Sequence, residues 1–199
     1  MTTTFFFLRH AAHDNVGQYL AGRSPGVRLG PAGRAQAFRL GERMQRERFD
    51  VIAASPRERT QETAQAVSVA CGVGPVVTRD ELDEIDFGCW SGKTFAELNE
   101  DDDWRIWNQE RGTARTPAGE CVEQVRERVC ACMGDLAQKH PDAGVVMVSH
   151  ADVIKAAVCH VLGLPGEAGF RFDIEPGSIT VIVMGGWGSK LLRLNEGAS

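Results

Sequence analysis

Apolar residues along the 199-residue chain follow two rhythms. Unbroken runs such as Thr3 to Leu8 fit strands covered on both faces. Between such runs, apolar residues recur every three or four positions, as on a helix with one buried face. After a connection carrying Gly17, Gly22, Gly26 and Gly30, Pro31 stands where a first helical turn accepts proline, and Ala37, Leu40, Gly41 and Met44 share a face. The pattern predicts a helix over about 31–48, a strand over 49–54, a helix from Glu58 to about Cys71 and a strand over 73–78. The stretch from Leu82 to about Ala118 is irregular, apart from two helix starts. One is Thr94-Phe95-Ala96-Glu97, whose spacing makes a capping box, and the other is the acidic run Glu100 to Asp103 ahead of Trp104. A long helix over 119–139, a buried strand over 144–149 and a helix over 151–162 follow, the last stopped by Gly163 to Pro165. Two or three short strands are expected from Phe170 onward. There is no repeat, low-complexity segment or linker. The alternation predicts one α/β domain over 1–199, a three-layer α/β/α arrangement around a mostly parallel sheet.

Composition changes this picture mainly by exclusion. Hydrophobic residues make up 43% and charged residues 25%, an ordinary globular balance. A net charge of -5 opposes a general nucleic-acid binder, while leaving room for a local cationic cleft. No apolar stretch approaches the ~20 residues of a membrane span. Arg9 and His10 interrupt the first run too early for a secretory signal. The six cysteines (Cys71, Cys89, Cys121, Cys130, Cys132 and Cys159) match no zinc spacing and read as reduced thiols of a cytoplasmic protein.

The chemistry gathers where strands end. In an open α/β sheet, ligands bind beyond the carboxyl ends of the strands. Arg9 and His10 follow the first strand, Ser55, Arg57 and Arg59 the second, and His150 the run Val145 to Ser149. Glu84 lies in the irregular segment that can fold over this edge. Arginine forks match phosphate oxygens, and helix N-termini add N–H donors. A histidine whose other ring nitrogen is held by an acceptor can attack phosphorus, and a nearby carboxylic acid can protonate the leaving oxygen. Cationic side chains can neutralise the transferring group without metal.

Five segments carry a family resemblance: LRHA, SPRERTQETA, LDEIDFGCWSGKT, PAGECVEQVRERV and VSHADVIKAAV. In this order and spacing they resemble the motifs of the histidine phosphatase superfamily, the phosphoglycerate-mutase-like proteins, over about residues 5–183. The resemblance implies that His10 is the nucleophile that becomes phosphohistidine and that Arg9 binds phosphate beside it. Arg59, rather than Arg57, falls on the arginine of a Ser-x-x-x-Arg pattern. It implies further that His150 is the second histidine, binding and stabilising the transferring group, that Glu84 is the proton donor and then base, and that Glu120 is structural. Arg23 and Arg57 are candidate substrate-binding residues. A phosphorylated small molecule is the expected partner, with no cofactor, metal, nucleic acid or membrane.

The chain departs from the family pattern at Ala11, where glycine is usual, and at Ala151 after the second histidine. His13 replaces a small polar residue, and Asn15 stands one position from the family's usual asparagine. Two other classes compete. His10, His13 and Asp14 with His150 could begin a metallohydrolase site, which would leave Arg59 and Glu84 idle. A non-catalytic phosphate-binding module would lack one catalytic residue, and none is missing. Within the family, the short acidic segment between Glu84 and Gly119 favours a phosphatase over a mutase with a basic insertion.

Overall fold

The computed structural model describes residues 1–14 and 16–198, so the expectation at Asn15 lies outside the described residues. Its strands are β1 (Thr2–Arg9), β2 (Val51–Ala54), β3 (Val76–Thr78), β4 (Gly144–Ser149), β5 (Ile179–Gly185) and β6 (Gly188–Glu196). The helices are α1 (Pro31–Met44), α2 (Glu58–Cys71), α3 (Phe95–Asn99), α4 (Asp102–Gln109), α5 (Val122–Lys139) and α6 (Ala151–Val161). The sheet order is β3-β2-β4-β1-β5-β6. From β3 to β1 all pairs are parallel, whereas β5 runs against both β1 and β6. This is the mostly parallel, doubly covered α/β fold that the alternation predicts.

Strand β1 shows why both faces must be covered. Side chains alternate across a sheet, so Phe5 and Phe7 enter one core with Val125, Val129 and Met133 of α5 and Ile154 and Val158 of α6. Phe6 and Leu8 enter the other with Leu40 and Met44 of α1 and Ala64 and Val67 of α2. The register then fixes the site. Arg9 pairs with Ser149, and Ala54 pairs with Val148. The backbone N–H of His10 donates to Ser149 O (3.0 Å) and that of Ser55 to Val148 O (3.0 Å). Three strand ends are thus level at one edge.

Several boundaries differ from expectation for local reasons. Helix α1 ends at Met44, because Gln45 to Arg48 offer the core no apolar side chain. Strand β3 starts at Val76, beyond Pro75, which has no N–H to give a ladder. Helix α5 begins at Val122 rather than 119, with Cys121 as its N-cap. The segment from Phe170 begins inside a short 3₁₀ turn (Gly166–Arg171), and the expected strands follow as the hairpin β5–β6. Both helix starts in the irregular segment form. Glu97 N–H donates to Thr94 Oγ1 (3.2 Å) while Thr94 N–H donates to Glu97 Oε2 (2.8 Å), and Asp101 caps α4. No helix among the described residues is long and apolar enough to cross a membrane.

Phe7 is wholly buried and lies on the central strand. Phe7→Ala should cost about 3–5 kcal/mol of stability, the range for emptying an aromatic core position, read as a lowered urea midpoint at unchanged slope. A loss below about 1 kcal/mol would mean that this core repacks freely.

Candidate active site

His10 leaves β1 with its ring turned back on its own strand end. A carbonyl can only accept, so the 2.9 Å contact between Nδ1 and Ala11 O makes Nδ1–H the donor. Nε2 therefore keeps its lone pair, and Arg59 Nε–H points at it from 3.3 Å. Burial, then the charges of Arg59 and Arg9, hold this imidazole well below its ordinary range and keep it neutral. Ala11 supplies the acceptor with its backbone, and its N–H donates to Thr63 Oγ1 (3.0 Å). It is not among the non-glycine residues with positive φ (Ala118, Asp142 and Asn195), so alanine is accepted without strain where the family usually has glycine.

His150 is the N-cap residue of α6 and is fully buried. Arg59 Nη2 lies 3.1 Å from its Nδ1, and since a guanidinium only donates, Nδ1 accepts. The proton is then on Nε2, which donates to Ser55 Oγ (2.8 Å), and Ser55 Oγ–H donates to Asp83 Oδ1 (3.2 Å). This chain fixes the tautomer and ends on a carboxylate. Burial, then Arg59, lowers the His150 pKa as well. In the sequence, Ser55 and Asp83 belong to two separate segments, SPRERTQETA and LDEIDFGCWSGKT. Their common hydrogen-bond chain appears only once β2 and the 3₁₀ turn Asp80–Leu82 are placed together.

Arg59 sits in the first turn of α2 and is almost wholly buried. Its Nη2 also donates to Gly22 O (2.8 Å). Gly22 can present that carbonyl because it adopts φ +48°, and a Cβ there would meet Ser91 Oγ at 2.7 Å. Arg9 donates through Nη1 to Ile174 O (2.6 Å). Arg9 Nε and Arg59 Nη1 are buried without a hydrogen-bond partner among the described residues. Buried donors left unpaired are costly, and both arginines line the same cleft as His10.

Glu84 Oε2 lies 3.6 Å from His150 Nδ1 and 4.0 Å from Arg59 Nη2. Burial, then the charge of Asp152, pushes its carboxyl up to about 7, against the opposing pull of Arg59. Its backbone carbonyl is held by Arg23 Nε–H (2.7 Å) and Arg128 Nη2–H (3.2 Å). Both arginines lean on Glu120, at 2.9 Å and 3.0 Å. Arg9, His10, Arg59 and Glu84 share a cleft of about 170 Å³ with His13, Tyr19, Leu20, Phe87 and Asp152.

Like the buried His150, the candidate substrate-binding residues Arg23 and Arg57 are not among the residues lining this cleft. Acidic neighbours claim them first. Arg23 pairs with Asp83, Asp86 and Glu120, and Arg57 pairs with Asp83 (2.9 Å) while donating to Arg23 O (2.7 Å). His13 does line it, stacked on His10 with centroids 6.1 Å apart, and burial lowers its pKa to about 4. Trp90, Trp104 and Trp107 pack against one another behind Phe87 rather than facing the cleft. Among the described residues no group of three or more His, Cys, Asp or Glu is arranged to hold a metal ion, so the rival metallohydrolase reading finds no ligand set there.

This sheet order with its covered faces is the phosphoglycerate-mutase-like fold. The chain belongs to the histidine phosphatase superfamily, branch 1, whose family model matches residues 5–197. Phosphoserine phosphatase 1 of Hydrogenobacter thermophilus is 32% identical over 192 residues, covering 94% of this chain and 90% of its own. A probable phosphoglycerate mutase of Klebsiella pneumoniae is 28% identical over 180 residues, 88% of this chain and 82% of its own. Among solved structures, a histidine-to-alanine variant of phosphoserine phosphatase from Entamoeba histolytica in complex with phosphoserine superposes with a TM-score of 0.84. It is 25% identical, and the match covers 97% of this chain and 96% of that one.

The two ring assignments can be read directly by nitrogen-15 NMR of the imidazoles. At pH 6 the ligand-free protein should show His10 as the neutral Nδ1–H tautomer and His150 as the neutral Nε2–H tautomer. Ser55→Ala should release the His150 tautomer and leave that of His10 in place. An imidazolium at either position at pH 6 would contradict the electrostatics described here.

Proposed function

We propose that the chain, acting as a single catalytic domain over 1–199, hydrolyses phosphate monoesters through a phosphohistidine on His10, with no metal or cofactor. One observation supports this reading: Arg9 and Arg59, each with a buried donor that has no partner among the described residues (Arg9 Nε and Arg59 Nη1), line one cleft with a neutral histidine. That arrangement suits a dianionic group whose phosphorus must be attacked.

In this mechanism Arg9, Arg59 and His150 bind the phosphate oxygens. His10 Nε2 forms a bond to phosphorus as the bond to the ester oxygen breaks. Glu84, whose raised pKa keeps it largely protonated below about 7, gives its proton to the leaving alkoxide. The resulting carboxylate then takes a proton from water as the water oxygen replaces His10 on phosphorus, which returns both groups to their starting states. His150 is neutral in the free site, but a bound dianion favours an imidazolium there. The Ser55–Asp83 chain supports that charge from behind. The positive charge on phosphohistidine is eased by the Ala11 carbonyl on Nδ1.

A mutase must return the phosphoryl group to bound product and exclude water. The segment that would carry a cation for a sugar-acid substrate is short here, and its acidic residues cap α4 instead. We therefore favour hydrolysis. The six free thiols accord with a reducing, cytoplasmic setting.

Release of phosphate from nitrophenyl phosphate should persist in EDTA and vanish in His10→Ala. Activity that returns only with added metal would overturn the mechanism. For an alkyl monoester, the phosphorylation step should slow as pH rises through about 7, because Glu84 loses the proton it must donate. Glu84→Gln should abolish that limb and cost roughly 10²–10⁴ in rate. With nitrophenyl phosphate, whose leaving group needs little acid help, the same variant should give a burst of nitrophenol and then stall as phosphoenzyme. Survival of the limb in Glu84→Gln would assign it elsewhere, the substrate's own ionisation near ~6 being checked with a second ester.

A further inference from the structure

We propose that Asp152 selects the leaving group, favouring phosphate monoesters whose alcohol is neutral or bears an ammonium group and disfavouring those with a carboxylate close to the ester. This rests on the phosphatase reading above and narrows its substrate class.

The cleft is divided by charge. Its cationic side chains, Arg9 and Arg59, stand with His10, and on that reading phosphate occupies them. His13 adds no positive charge near neutrality, since its pKa lies at about 4. The remaining wall is largely apolar, formed by Val16, Tyr19, Leu20, Phe87 and Phe95. Among the described residues lining the cleft, the formal charge left for an alcohol to meet is the carboxylate of Asp152, together with Glu84, which serves as the acid.

Asp152 is also held in place. It is the second residue of α6, two positions beyond His150. Arg111 Nη1 meets its Oδ1 at 3.2 Å, and Arg111 is itself tied to Asn108 Oδ1 (2.9 Å) and laid over the Trp107 ring at 4.1 Å. Arg111 does not line the cleft, so the negative end of this ion pair faces the alcohol. A carboxylate bonded through one oxygen retains acceptor sites for an ammonium or hydroxyl. It repels a second carboxylate, more strongly in a cleft with apolar walls than in water.

The test compares O-phosphoethanolamine with 2-phosphoglycolate, whose two-carbon leaving groups end in opposite charges, with nitrophenyl phosphate as the reference ester. Wild type should favour phosphoethanolamine in kcat/KM by about tenfold or more, and Asp152→Asn should bring the ratio down by about tenfold. Because both esters depend on Glu84 alike, any change in its protonation cancels from the ratio. Asparagine matches aspartate in shape, and turnover of nitrophenyl phosphate by the variant verifies that it is folded. If wild type cleaves nitrophenyl phosphate but favours phosphoglycolate, treats the two alike or cleaves neither, the inference fails alone. It also fails if the ratio is unchanged in Asp152→Asn. If wild type cleaves none of the three esters, the phosphatase reading fails and takes this inference with it.

Discussion

The site depends on one buried charge. The guanidinium of Arg59 is 1% exposed, and removing such a group from water costs several kcal/mol unless its donors are met. Three contacts meet them in part: Gly22 O at 2.8 Å, His150 Nδ1 at 3.1 Å and His10 Nε2 at 3.3 Å. Each contact also constrains its partner. The glycine must be left-handed to offer its carbonyl, and both imidazoles must stay neutral with a lone pair toward the arginine. The nearest opposite charge is Glu84, at 4.0 Å, and burial raises that group's pKa to about 7. The cation is therefore incompletely answered by the protein's own groups.

A second constraint keeps Glu84 in place without touching its carboxyl group. The carboxylate of Glu120 accepts from Arg23 and Arg128, and through Oε2 from the backbone N–H of Asp86 (2.9 Å). The two arginines then hold the Glu84 carbonyl from two sides. The Arg128–Glu120 pair is bidentate and partly buried, which defines geometry better than an isolated surface pair. The Glu84 backbone is thus fixed, while its carboxyl accepts from the Ile85 N–H through Oε1 (3.0 Å). The same network engages Arg23 with Glu120 and with the Glu84 carbonyl.

The segment between Glu84 and Gly119 shows how an irregular region becomes a rigid wall. Short helices of five and eight residues would not persist alone. They are anchored by Thr94, Glu97 and Asp101 at their N-termini and by edge-to-face packing of Trp90 on Trp104 (5.2 Å) and of Phe87 on Trp107 (5.6 Å). Gly88 permits the tight return, since a Cβ there would fall 1.7 Å from Pro117 O. Phe87 presents one face of this stack to the cleft, and Arg111 crosses Trp107 to reach Asp152. The aromatic layer therefore shapes the pocket through Phe87 and Arg111.

The strand and helix alternation, the doubly covered first strand, the level of Arg9, His10, Ser55 and His150 at one edge, and the Thr94–Glu97 capping box were legible in the sequence. Each follows from residue period, cap chemistry or the position of a polar residue at the end of an apolar run, all local properties. Tertiary structure decided the rest. The His150–Ser55–Asp83 chain joins residues up to 95 positions apart, and no local pattern encodes that meeting. Which carboxylates Arg23 and Arg57 pair with depended on where Asp83 and Glu120 came to rest, because a guanidinium goes to the carboxylate it can reach. Residue types and spacing therefore determined which chemistry this protein has at hand. Packing, by burying some charges and pairing others, decided which groups remain free to carry it out.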